Sequence, residues 1–214
     1  MFRTLLWTQW KWSRAVVFAG SVGCFAIPLL SLRAAAQGHD PGSFLAYMQM
    51  WSVAYSLAAA GLGLLLAMTA WSSDHRGRHV YALSLPVPRW RYVTLRFAAG
   101  LTLLLVPVGA TLVSALIVSA SDVIPTGLHA YPLALTVRFA LAALVSYSLF
   151  FAIWSGTSRT AGLVLGALAA VWAVQVLVWV AGAKVDVVGR LLDLVFISPG
   201  FLAVFGGRWM LIDV

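Results

Sequence analysis

From Leu45 to Ala70 the chain runs for 26 residues without a charged side chain, and the next 26, Trp71 to Arg96, carry five arginines, two histidines and one acid. That juxtaposition leaves few folds open. As a helix the first stretch would be about 39 Å long, more than a ~30 Å hydrocarbon core requires. An arginine at the centre of a bilayer costs about 2.5–3.5 kcal/mol on insertion scales, so the basic island stands outside the lipid. Of the 214 residues only 9% are charged and 62% are hydrophobic, whereas a soluble domain carries about 25% charged residues. The pattern predicts an all-α polytopic membrane protein.

The chain reads as a single transmembrane domain, 1–214. Residues 1–14 (MFRTLLWTQWKWSR) interleave Arg3, Lys11 and Arg14 with Trp7, Trp10 and Trp12. Tryptophan prefers the headgroup level and cations the anionic inner face, so an interfacial helix is expected there. Spans one and two occupy 15–72. The first covers Ala15 to Leu32, with a kink at Pro28. The loop Arg33 to Ser43 follows, where His39 and Asp40 read as solvated turn chemistry. The second covers Phe44 to Trp71, where Gly61 and Gly63 lie in a small-residue patch suited to close helix approach. Spans three to five occupy 97–183. The third, Phe97 to Ala120, holds Pro107 and Gly109, and an outer loop with solvated Asp122 and His129 follows. In the fourth, Pro132 to Trp154, Arg138 is expected to snorkel to the headgroups. The hydroxyls of Ser146, Tyr147 and Ser148 either bond neighbouring helices or face a substrate path. The fifth carries Gly162 and Gly166 at GxxxG spacing, again a helix-packing signal. Residues 184–214 read as a re-entrant hairpin or as a shortened sixth span, giving five to six transmembrane helices.

Arg3, Lys11, Arg14, Arg76, Arg78, Arg89, Arg91, Arg96 and Arg159 fall on one side of this arrangement, with Arg33 and Arg138 on the other. Nine against two orients the amino terminus to the cytoplasm. The net charge of +8 therefore follows from basic loops, and no nucleic-acid partner is implied. All six acids are aspartates, and none falls in the middle of a confident span, which argues against proton or sodium coupling. Cys24 is the single cysteine, so no intrachain disulfide forms. His75 and His79 have helical i,i+4 spacing, yet with only Asp74 nearby they make neither a metal site nor a convergent catalytic set. No GxxxxGK[ST] occurs, so the chain supplies no P-loop and is not expected to be an enzyme.

The island, DHRGRHVYALSLPVPRWRYVTLRFAAG, resembles the segment between the second and third spans of ABC-2 type transporter permeases, on Asp74, Gly77, Leu83, Ser84, Leu85, Pro86, Val87, Arg89 and Tyr92. In that family an acidic, Gly- and Leu-bearing short helix and a Leu-x-Leu-Pro-x-x-Arg turn precede the third span. The basic, Trp-bearing amino terminus and the order of spans are also similar. The resemblance implies a permease subunit of an exporter in a bacterial inner membrane. Residues 73–96 would be a coupling segment that meets a separate ATP-binding cassette ATPase through Asp74, Arg76, Gly77, Leu83, Leu85, Pro86, Pro88 and Arg89. ATP and Mg would be bound in that partner, with no cofactor in this chain. A second permease chain, identical or not, and membrane lipids would complete the assembly. The family generally has six spans, whereas five are clear here. The alternative is a structural subunit of a larger membrane complex without transport.

Overall fold

The computed structural model describes residues 1–38, 40–76, 88–156, 158–181, 188–190, 193, 202–206, 209 and 211–213; at 73–76, 158–161, 165 and 168 it describes the backbone alone. The chain is an all-α polytopic membrane protein. The helices are α1 (Phe2–Ala35), α2 (Pro41–Met50), α3 (Ser52–Arg76), α4 (Arg89–Ser119), α5 (Pro132–Ser155) and α6 (Ser158–Val180). A two-stranded pair, β1 (His129–Ala130) with β2 (Ile212–Asp213), and one 3-10 turn at Ala203–Phe205 complete the described elements. Among the described residues, five helical stretches are long and apolar enough to cross a membrane, with α2 and α3 together supplying one of them. The chain forms two compact units, Met1–Phe151 with Arg208–Val214, and Ala152–Gly207.

The amino-terminal segment is helical and runs into the first span as one helix. At 34 residues α1 is about 51 Å long, well beyond a ~30 Å core. Its buried positions are Gln9, Ser13, Val17, Cys24, Pro28, Ser31 and Ala35, a seam at helical period. The helix continues through Pro28, and Ser31 Oγ donates to the Pro28 carbonyl at 2.8 Å. Asp40 caps α2: its Oδ2 accepts from the Gly42 and Ser43 amides, both at 3.1 Å, and Pro41 occupies the first turn, where a missing N–H costs nothing. The second span is therefore entered through a cap, three residues before the expected Phe44, and it breaks at Trp51 into α2 and α3.

The third helix starts eight residues before the expected Phe97. Pro88 is extended (φ −55°, ψ 135°), and its carbonyl accepts from the Arg91 and Tyr92 amides. Residues 89–96 are thus the first two turns of α4, and 73–76 are the last turn of α3. Of the proposed coupling segment, 77–87 lie outside the described residues.

Helix directions follow from cross-helix contacts. Ser114 Oγ donates to the Phe25 carbonyl at 2.6 Å, and Gly100 lies against Gln9, so α4 runs parallel to α1. Tyr55 meets Ser31 while Leu62 meets Gly20, so α3 is antiparallel to α1. Ser146 Oγ donates to the Ala60 carbonyl at 2.8 Å, and Trp71 stacks near Phe151, so α5 runs with α3. The bonding reading of Ser146 and Tyr147 is the observed one, since the Tyr147 hydroxyl also reaches the Phe97 carbonyl, at 3.4 Å. Small residues permit this closeness. A Cβ at Gly63 would come within 2.5 Å of the Tyr147 amide nitrogen, and one at Gly100 would collide with the Tyr147 hydroxyl.

At the end of the unit where α4 finishes and α5 begins, Pro125–Leu128 forms a turn in which Gly127 has φ 94°, a type II position that favours glycine. Asp122 and His129 are exposed there. β1 and β2 pair antiparallel, His129 opposite Asp213 and Ala130 opposite Ile212, and the Tyr131 amide donates to the Leu211 carbonyl at 2.8 Å. Trp209 is buried, with the Arg138 guanidinium 4.9 Å above its ring. Arg138, six residues into α5, is half-buried against this returning tail, where the cation finds an aromatic face close by. The rest of 184–214, where a hairpin or sixth span was expected, lies largely outside the described residues. In the second unit, α6 is followed by a backbone amide, Val188, donating to Gln175 Oε1 at 3.1 Å.

Candidate functional site

Arg96 joins the two helix ends that flank the basic island. It is 6% exposed. Its Nε donates to the Ala70 carbonyl of α3 at 2.6 Å, and its Nη1 donates to the hydroxyl of Tyr92, one turn earlier in α4. Its guanidinium carbon lies 4.9 Å from the Trp71 ring centroid and 5.4 Å from that of Tyr92. A delocalised, weakly hydrated guanidinium between aromatic faces suits arginine far better than lysine. A hydrogen bond to a charged group contributes about 1.5–3 kcal/mol, more than a neutral one.

The clamp leads into an aromatic stack. Trp71 is 5.2 Å from Phe151, Phe151 is 5.2 Å from Phe97, and Phe97 lies over Tyr147 at 5.2 Å. Tyr147 meets Gly100, and Gln9 of α1 closes on the same glycine. The chain of contacts therefore runs from the island's flanks through α3, α4 and α5 to α1. Gln9 is 5% exposed, and its side chain bonds the Tyr147 hydroxyl; among the described residues the Trp71 indole nitrogen has no hydrogen-bond partner. Displacing the clamp would disturb buried groups on all four helices.

Of the coupling residues read from the sequence, Pro88 and Arg89 stand at the start of α4, both exposed. Trp90 and Arg91 beside them are exposed as well. Asp74 and Arg76 are in the last turn of α3, described by backbone only, and Gly77, Leu83, Leu85 and Pro86 lie outside the described residues. Among the packing glycines, Gly63 meets α5 closely, whereas a Cβ added at Gly61, Gly162 or Gly166 would meet no described atom within 4 Å. Sequence reasoning counted Arg96 as one more inner-face charge; the structure buries it. The available signal was the i,i+4 spacing of Tyr92 and Arg96, which places a hydroxyl and a guanidinium on one helix face.

The described residues contain no group of three or more metal-ligating side chains, and His79 lies outside them. Arg96 thus connects the exposed start of α4 with the packed aromatic side chains of α3 and α5. No protein-family model, curated protein or solved structure matches the chain.

Proposed function

We propose that the chain is a membrane-spanning permease subunit of an ABC-2-like exporter, working in a bacterial inner membrane with its amino terminus in the cytoplasm. ATP hydrolysis, with its Mg, belongs to a separate ATPase, and a second permease chain completes the substrate path. The observation that carries this reading is the Arg96 clamp. A segment that receives a push from a soluble partner transmits it only if both of its ends are tied to the bundle. Arg96 ties the end of α3 to the start of α4, and Pro88 fixes the elbow between the segment and α4, since proline locks φ near −65°. The exposed Arg89 and Arg91 suit acidic side chains on a partner. On this reading the β1–β2 pair, at the opposite end of α4, faces the outside.

Purification of the tagged chain in mild detergent tests the proposal, comparing wild type with Leu85→Asp and Arg89→Glu. An ATPase should accompany the wild type and be lost from both variants. Recovery in a large assembly without any nucleotide-binding protein would instead assign the chain a structural role in a membrane complex.

A further inference from the structure

In the first unit an open groove with a volume of about 470 Å³ runs between α1 and α3. Its walls include Ala15, Ala19, Gly23 and Ile27 from α1 and Gly61 and Leu62 from α3, and every lining residue is apolar. A Cβ at Gly23 or Gly61 would meet nothing within 4 Å, so both glycines border open space. From Ala15 to Ile27 the groove follows about 18 Å of helix, close to the ~15 Å depth of one leaflet's hydrocarbon.

The groove has a charged end. Lys11 is one helical turn before Ala15 and Arg14 is its immediate neighbour, and both are exposed. Trp12, one turn before Val16, is also exposed, and Trp7 is 66% exposed on the same stripe as Arg3, Lys11 and Arg14. Cations with tryptophans mark the headgroup level. An apolar slot one leaflet deep, headed by two cations at the level of the phosphates, is complementary to one kind of molecule.

We propose that the α1–α3 groove binds an anionic phospholipid, with an acyl chain along Ala15 to Ile27 and the phosphate at Lys11 and Arg14. A second copy of this chain fits less well. A two-fold interface through the groove would bring Lys11 and Arg14 against their own equivalents, and like charges placed together oppose association. A zwitterionic lipid fits the slot but leaves the two cations without a net counter-charge.

The full chain, reconstituted in phosphatidylcholine vesicles with trace spin-labelled phosphatidylglycerol or phosphatidylcholine, gives the relative association of each lipid. Wild type should select phosphatidylglycerol by roughly 25-fold, taking about fivefold for each of the two cations. Lys11→Gln with Arg14→Gln should bring the ratio near one, and both positions are exposed, so the fold is retained. Gly23→Leu with Gly61→Leu fills the groove from open space and should release the motionally restricted lipid of both kinds. A wild-type ratio near one overturns the proposal. So does a ratio that survives filling of the groove, which would assign the cations to the bulk surface. Loss of a cross-linked dimer in the groove variant with lipid association unchanged would assign the site to a second copy.

Discussion

The helices α4 and α6 are both long, apolar and glycine-bearing, yet they are packed very differently. α4 buries eleven residues, among them Tyr92, Arg96, Gly100, Thr111 and Ser114, and reaches neighbouring helices through hydroxyl, guanidinium and glycine positions. No described side chain of α6 is buried; Leu163, Trp172 and Trp179 are widely exposed, and Gly162 and Gly166 face open space. Hydropathy does not separate the two. In lipid an apolar surface gains little by meeting another apolar surface, so association depends on small residues that let backbones approach and on polar groups that bond across. α4 has both on its buried face, whereas α6 carries glycines that meet no described atom within 4 Å.

The sharpest way to break this contrast is a matched pair of glycine substitutions. Gly100→Val should destabilise the first unit by about 3 kcal/mol, because the added atoms collide with Tyr147 and Gln9 and overpacking of that kind costs about 1–3 kcal/mol or more. Gly162→Val should leave the stability of the single chain unchanged. Unfolding in mixed micelles, followed by circular dichroism, compares them, and equal losses would erase the distinction. Arg96→Gln comes next, with an expected loss of about 2–3 kcal/mol from removal of charge-assisted bonding in a buried site. Arg96→Lys should recover less than half, since an ammonium does not reproduce the fork or the ring contacts. Asp40→Ala should cost about 1 kcal/mol by uncapping α2. Ser114→Ala and Ser146→Ala should each cost about 0.6 kcal/mol, the usual value for a hydroxyl bonding across membrane helices. If the serine changes matched the Arg96 change, the clamp would hold no special place among the cross-helix contacts.

Much of the fold was legible in the order of residues. Uncharged stretches marked the spans because lipid penalises charge, and helix was the expected backbone because a bilayer offers no outside partner for amides. Asp40 read as solvated turn chemistry, whereas its side chain caps a helix that begins at Pro41, before the expected Phe44. The Ser146–Ser148 run showed that hydroxyls lay deep in a span, although their partners, Ala60 and Phe97, are 86 and 50 residues away. The candidate site was legible only in outline. Pro88 and Arg89 were read as part of a loop ahead of Phe97, although the helix already starts at Arg89, and Arg96 looked like its neighbours Arg89 and Arg91 until the fold set it against Ala70 and Trp71.

The amino-acid sequence by itself determined the class of solvent, the helical backbone, the approximate spans and the bias of positive charge toward one side. These depend on local quantities: side-chain transfer cost, helical rise and the chemistry of caps. Tertiary structure alone decided the burial of Arg96, the contact of Arg138 with Trp209 and the pairing of Ile212 with Ala130. Each depends on groups brought together across the chain, 26 residues apart for Arg96 and Ala70, and such meetings are set by how the helices pack.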